Sequence, residues 1–194
     1  MVSLTVTDLP TVTGTSISFG SPTTFNSAQT GDIATAFDTT NNKIVIVYRD
    51  HGNSQYGTAI VGTVSGTSIS FGSEAVFWDS SRADSMRQIA FIPDLGTLIG
   101  FKASGDGRAI YGTVSGTSIS FDTATTFGDA DGYYGIIIAY DSENGKAIVI
   151  YEDNDDSNNG NARTVGIPEF SSLLMPISSV LLIVGLNYRR RESS

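Results

Sequence analysis

The stretches "VGTVSGTSISFGS" at 61–73 and "YGTVSGTSISFDT" at 111–123 share ten consecutive residues, and a third version, "PTVTGTSISFGSP", stands at 10–22. Anchored on Gly14, Gly66 and Gly116, the copies lie 52 and 50 residues apart. Phe25, Phe77 and Phe127 recur at the same spacings, and Tyr48, Phe101 and Tyr151 follow at 53 and 50. Self-similarity at a fixed period of this length is the mark of a repeat architecture, in which each unit is one supersecondary block.

Inside the phrase, Ile17 and Phe19 alternate with Ser16 and Ser18. That two-residue period predicts a half-buried strand. A second strand is read in "IATAF", "QIAFI" and "GIIIAY", a third in "KIVIVY", "TLIGF" and "KAIVIY", and a fourth in "TAIVGTV" and "RAIYGTV". The middle strands are apolar on both sides, so both faces of their sheets must be covered. Turn residues fall between them, in "DTTNNK", "PDLGT" and "DSENGK". The chain is therefore expected to be all-β over residues 1–166, with units at roughly 14–65, 66–115 and 116–166.

A four-stranded unit of this length resembles a β-propeller blade. The resemblance implies that "VSGTS" carries the chain from the outer strand of one blade to the inner strand of the next, with glycine permitting the tight turn. Propellers close with about 4–8 blades. Three units thus read as an incomplete set, a fragment of a longer protein being preferred over self-assembly or an open β-array. The repeats also resemble those of microbial surface and phage fibre proteins.

Composition narrows the function classes. The 194 residues contain no cysteine, which excludes a disulfide framework, thiol catalysis and cysteine-ligated metals. Net charge is −9, but Arg189, Arg190 and Arg191 lie in the last six residues. Residues 1–169 carry 8 basic and 19 acidic groups, a net of −11. Such a surface repels phosphate backbones and argues against nucleic-acid binding. The opening "MVSLTVTDLPTVTG" lacks the basic and apolar regions of a secretory signal.

At residue 167 the character changes. Phe170 to Tyr188 is 19 residues without a charge, ten of them Phe, Leu, Ile or Val, ahead of the three arginines. As a helix this segment would span roughly 28 Å, close to a bilayer core. One transmembrane helix is therefore expected within 167–194. The arginines would stay cytoplasmic and the acidic repeats would lie outside. Pro168, Glu169 and Phe170, then an apolar helix, then an arginine cluster, resemble the PEF-CTERM sorting signal of archaeal surface proteins. The resemblance implies processing near Pro168-Glu169-Phe170 by an archaeosortase-type membrane enzyme and display of the ectodomain at the cell surface.

Candidate sites are few. In "YEDNDDSNNGN" at 151–161, Asp153, Asp155, Ser157 and Asn159 have the spacing of a calcium loop. The sixth position is Asn158 rather than Gly and the twelfth is Thr164 rather than Glu, so a solvated acidic loop is the preferred reading and calcium the weaker one. "RDHGNSQYG" and "ASGDGRAIYG" faintly resemble the Asp-box turn of sialidase propellers, which implies that Asp50 or Asp106 accepts backbone N–H bonds within its turn. His51 is the only histidine and has no nucleophile motif near it. Trp78, Arg82 and Arg87 break the repeat in "FWDSSRADSMRQ". An exposed Trp beside Arg suits sugar stacking or a protein hot spot; the plainer alternative is a Trp packed over a seam. No cofactor is implied and no catalytic residue is assigned. The expected function is a non-catalytic, membrane-anchored β-repeat protein for adhesion, recognition or envelope structure, taking a glycan or surface-protein ligand. A propeller-type glycan hydrolase and a viral or phage fibre segment are the alternatives.

Overall fold

Alternating sequences need a partner edge and a covered face, and the chain supplies both by stacking sheets. The computed structural model describes residues 19–129, 135–153, 157 and 159–166, the side chains of 85–87 and 129 excepted. All regular structure among the described residues is β. The first sheet holds β1 (Thr30–Asp38), β2 (Lys43–Asp50) and β3 (Tyr56–Ser65), with β4 (Ser68–Phe71) and β5 (Ala75–Trp78) both on the far edge of β3. Every pairing is antiparallel. Because β4 pairs with Gly62–Ser65 and β5 with Gly57–Ala59, the two act as one interrupted fourth strand.

The second sheet repeats this plan with β6 (Ala83–Ile92), β7 (Gly96–Ala103), β8 (Asp106–Ser115), β9 (Ser118–Phe121) and β10 (Thr125–Asp129). The third sheet has three strands among the described residues, β11 (Ile137–Asp141), β12 (Lys146–Asp153) and β13 (Asn159–Val165). The transmembrane helix expected after residue 166 lies outside the described residues.

The repeated phrase does something other than expected. "VSGTS" does not cross from one sheet to the next. It closes a hairpin inside one sheet, since Ser65 pairs with Ser68 and Ser115 with Ser118. Two loop residues are too few to leave a sheet. Gly66 and Gly116 take φ of 58° and 62° as the first loop residue, the requirement of a type II′ hairpin turn. The 50-residue period is thus kept while its phase moves, and each sheet opens at β1, β6 or β11.

The sheets pack face to face. The seam between the first two is built from Val45, Val47, Ala59, Val61 and Phe77 on one side, and Ile99, Phe101, Ile110, Val114 and Ile119 on the other. The next seam gathers Ile92, Leu98, Ala109 and Phe127 against Ile136, Ile138, Ala147, Val149 and Tyr151. Leu98, Ile99 and Phe101 of β7 are fully buried, because β7 is covered on both faces. First strands lie beside first strands, β1 against β6 and β6 against β11. Recurring aromatics seal both seams, Phe77 on Phe101 and Phe127 on Tyr151 with centroids 5.4 and 5.1 Å apart, and the equivalent pair Phe25–Tyr48, at 5.1 Å, lies on the outer side of the first sheet.

Candidate functional site

At one end of the first seam, β2, β5, β6 and β8 bring charged and aromatic side chains together. Trp78 closes β5 and is half-buried. Its ring lies 5.4 Å from that of Phe101, the Arg108 guanidinium stands 4.8 Å above it, and its Nε1 donates to Ser81 Oγ at 3.2 Å. The Trp78 ring therefore already has an apolar neighbour and a cation on it. Arg108 in turn donates to Asp106 at 2.6 Å.

Beside it runs a chain of ion pairs. Arg49 Nη1 lies 3.0 Å from Asp32 Oδ2 and also donates to Asp84 Oδ1. Arg82 Nε reaches the same Asp84 oxygen at 2.7 Å. Asp32 stands in the bulge of β1 with φ of 48°, which is what lets it reach across to Arg49. Arg49 and Asp32 are largely buried, at 14% and 10% side-chain exposure, whereas Arg82 is 56% exposed. The Arg49–Asp32 pair lies within the first sheet, and the Arg49–Asp84 pair ties the first sheet to the second. Arg82 is the arm of this cluster that faces solvent, where an exposed pair contributes only about 0–1 kcal/mol and can exchange its partner for a ligand.

Of the three residues singled out by sequence, Trp78 packs on Phe101 under Arg108, and Arg82, four residues on, pairs with Asp84. Arg87 falls in the irregular part of β6 between Asp84 and Gln88, and its side chain is outside those described. The Arg49–Asp32–Asp84 chain was not legible, because its members are 17 to 52 residues apart and only the seam joins them. One signal existed: Arg49, Lys102 and Glu152 each follow the recurring aromatic, so each unit places a charge at that point.

The Asp-box-like turn behaves as read at one of its two positions. Asp50 Oδ1 accepts from the Gly52 backbone N–H at 2.9 Å, and Asp50 is 6% exposed. Asp106 is occupied by Arg108 instead. In the acidic loop, Asp153 pairs with Asn159 across the end of the β12–β13 hairpin. Asp153 Oδ2 accepts from Asn161 Nδ2 at 3.1 Å, and Ser157 takes φ of 58° as a loop residue. Asp155 lies outside the described residues. Among the described residues no cluster of three or more His, Asp or Glu is placed to hold a metal ion.

The other end of the first seam carries a groove of about 410 Å³, with Asp38, Asp94, Asp122 and Tyr111 in its wall. Asp38 is buried and spoken for, since its two oxygens accept from the Asn41 backbone N–H and Nδ2 at 2.9 and 2.8 Å. Tyr111 buries a hydroxyl with no partner among the described residues, and burial holds its pKa above the ordinary tyrosine value. Sequence reasoning did not find this groove, because its wall combines the β1–β2 turn of the first sheet with the β6–β7 turn and the β8 strand of the second.

No family model, no curated protein and no solved structure matches this chain.

Proposed function

We infer that this is a surface-anchored, non-catalytic protein whose propeller-like β-repeats serve adhesion, recognition or envelope structure. The observation that carries the reading is the change at residue 167, where an acidic period-50 β stack gives way to 19 uncharged residues and three arginines. A segment of that length suits a bilayer core, and the arginines suit cytoplasmic headgroups. The tail's resemblance to a PEF-CTERM signal adds processing at Pro168-Glu169-Phe170 by an archaeosortase-type enzyme. The blade reading draws support from face-to-face stacking with first strands side by side. Recognition is assigned to the Trp78–Arg82 corner, where Arg82 offers the exposed cation.

The test is membrane partition of the full chain. Wild-type protein is expected in the membrane fraction, and Leu181→Asp with Leu182→Asp is expected to release it. Each change loses a favourable leucine and adds about 2.5–3.5 kcal/mol near the centre of the span. Equal partition of the parent and the double variant would sink the anchor.

A glycan-directed reading is favoured by one observation, the groove whose wall includes Asp94, Asp122 and Tyr111. Carboxylates and an aromatic wall suit sugar hydroxyls and a ring face. A glycan panel that binds the parent and Asp122→Ala equally would remove this reading.

A further inference from the structure

The two ends of the stack differ, and each offers what the other lacks. Phe25 and Phe77 each seat on two rings of the sheet that follows them. Phe25 meets Tyr48 and Phe71 at 5.1 and 5.9 Å. Phe77 meets Phe101 and Phe121 at 5.4 and 5.5 Å. Phe127 meets Tyr151 at 5.1 Å and, among the described residues, no second ring. In the two complete sets the second ring ends a GTSISF phrase. The remaining copy of that phrase ends at Phe19, which is 91% exposed.

The backbone tells the same story. Gly72 rests against the Thr117 carbonyl, and Gly20 rests in the same way against the Thr67 carbonyl. Residues 72–77 do this as part of the fourth strand of the preceding sheet. Residues 20–25 do it while belonging to no sheet. Conversely, among the described residues the third sheet has three strands and a largely exposed edge at β13. Among the described residues, a segment in the fourth-strand position with no sheet of its own stands at one end, and a sheet with no strand in that position stands at the other.

The faces agree. Val114 and Ile119, under the first sheet, are 5% and 6% exposed, while Val64, the counterpart of Val114, is 55% exposed. Val47 is buried, whereas its counterpart Ile150 is 41% exposed, with Ile137 at 50% beside it. The apolar positions exposed on the two outer faces are those whose counterparts, Val114 and Val47, are buried together in the first seam.

The geometry points to end-to-end association of two copies of this chain. The third sheet of one copy takes residues 19–25 of the other as its fourth strand, and Phe19 completes the ring set on Phe127. The outward face of that third sheet then packs on the open face of the partner's first sheet. A head-to-tail contact of this kind closes a ring when its rotation permits. Used at both ends of two copies, it gives six sheets, inside the range of about 4–8 at which such stacks close.

Cross-linking tests the interface directly, because the chain has no cysteine. Gly100 of the second sheet lies against Ile138 of the third, and their counterparts across the proposed contact are Ile150 and Thr35. Full-length Thr35→Cys and Ile150→Cys chains in detergent are expected to cross-link when mixed, and neither alone. Sedimentation should give the protein mass of two chains. Phe19→Ala should raise the dissociation constant tenfold or more while leaving the β circular dichroism unchanged. A single-chain mass at tens of micromolar, a mass of three or more chains, or cross-linking of either variant with itself would overturn the proposal.

Discussion

Tyr48 and Phe101 occupy the same repeat position and touch the same kind of ring, yet only Tyr48 carries a hydroxyl, which donates to Glu74 at 2.8 Å. Burial first, and Glu74 second, hold the Tyr48 pKa well above the ordinary value of 10. The unfolded chain therefore loses this proton from about pH 10, before the folded chain does. Stability from Tyr48 is complete below that pH and declines as pH rises above it. Tyr48→Phe should cost about 0.5–1.5 kcal/mol at pH 7. The fit is already demonstrated by Phe101, and Glu74 is exposed enough to take up water. Thermal melts of the variant should fall less steeply between pH 10 and 11 than those of the parent; parallel curves would contradict the assignment. Asp141 works at the acid side. The Asn144 side chain, then its backbone N–H, hold the carboxyl below its usual range. Its contribution is present at neutral pH and is lost as pH falls below about 3.8. Phe77 carries far more, because it is 7% exposed between Phe101 and Phe121. Phe77→Ala should cost about 3–5 kcal/mol in chemical denaturation.

At the scale of the strand and turn, two glycines separate conformation from packing. An added methyl at Gly116 meets nothing within 4 Å, so Gly116→Ala is left with the left-handed backbone alone, about 1–2 kcal/mol. Gly112 sits in β8 opposite Phe121, and a methyl there would stand 2.9 Å from Ile119 Cδ1 and from the Phe121 ring. Gly112→Ala must push two packed side chains and should be the more destabilising of the two. A milder Gly112→Ala in urea titration would mean that the β8–β9 pair has slack that these contacts do not suggest. The strands themselves were legible because alternation and doubly apolar runs are local properties. The aromatic seals were legible too, since Phe25, Phe77 and Phe127 keep step with the phrase. The phase of the sheet was not, because a glycine at positive φ serves a hairpin or a crossing equally well. What decides between them is the pairing of Ser65 with Ser68, a contact between residues that alternation leaves undirected. Trp78 shows the same limit at the site. Its neighbours in sequence are Asp79 and Phe77, but its ring is held by Phe101 and Arg108 from the next sheet.

For the whole molecule, order along the stack decides where stability concentrates. A stack of repeats draws its stability from each unit and from the faces between neighbours. The second sheet has a neighbouring sheet on both faces, whereas among the described residues the first and third each have a neighbouring sheet on one face only. Opening β7 or β8 would therefore expose two seams at once. Opening β13 disrupts one pairing, with β12, and a strand already mostly exposed. Native-state hydrogen exchange should thus be slowest at Leu98, Ile99 and Phe101, and faster by about two orders of magnitude or more along β13. That ratio corresponds to roughly 2.7 kcal/mol, comparable to the burial of one large apolar side chain. The measurement belongs on Phe19→Ala chains at low concentration, where the outer faces are not covered by a second copy. Uniform protection from β1 to β13 would show that the three sheets open as one cooperative unit and that the seams couple them more strongly than the exposed end faces imply. Protection graded from the second sheet outward would identify the two seams, rather than strand pairing within each sheet, as the main source of stability.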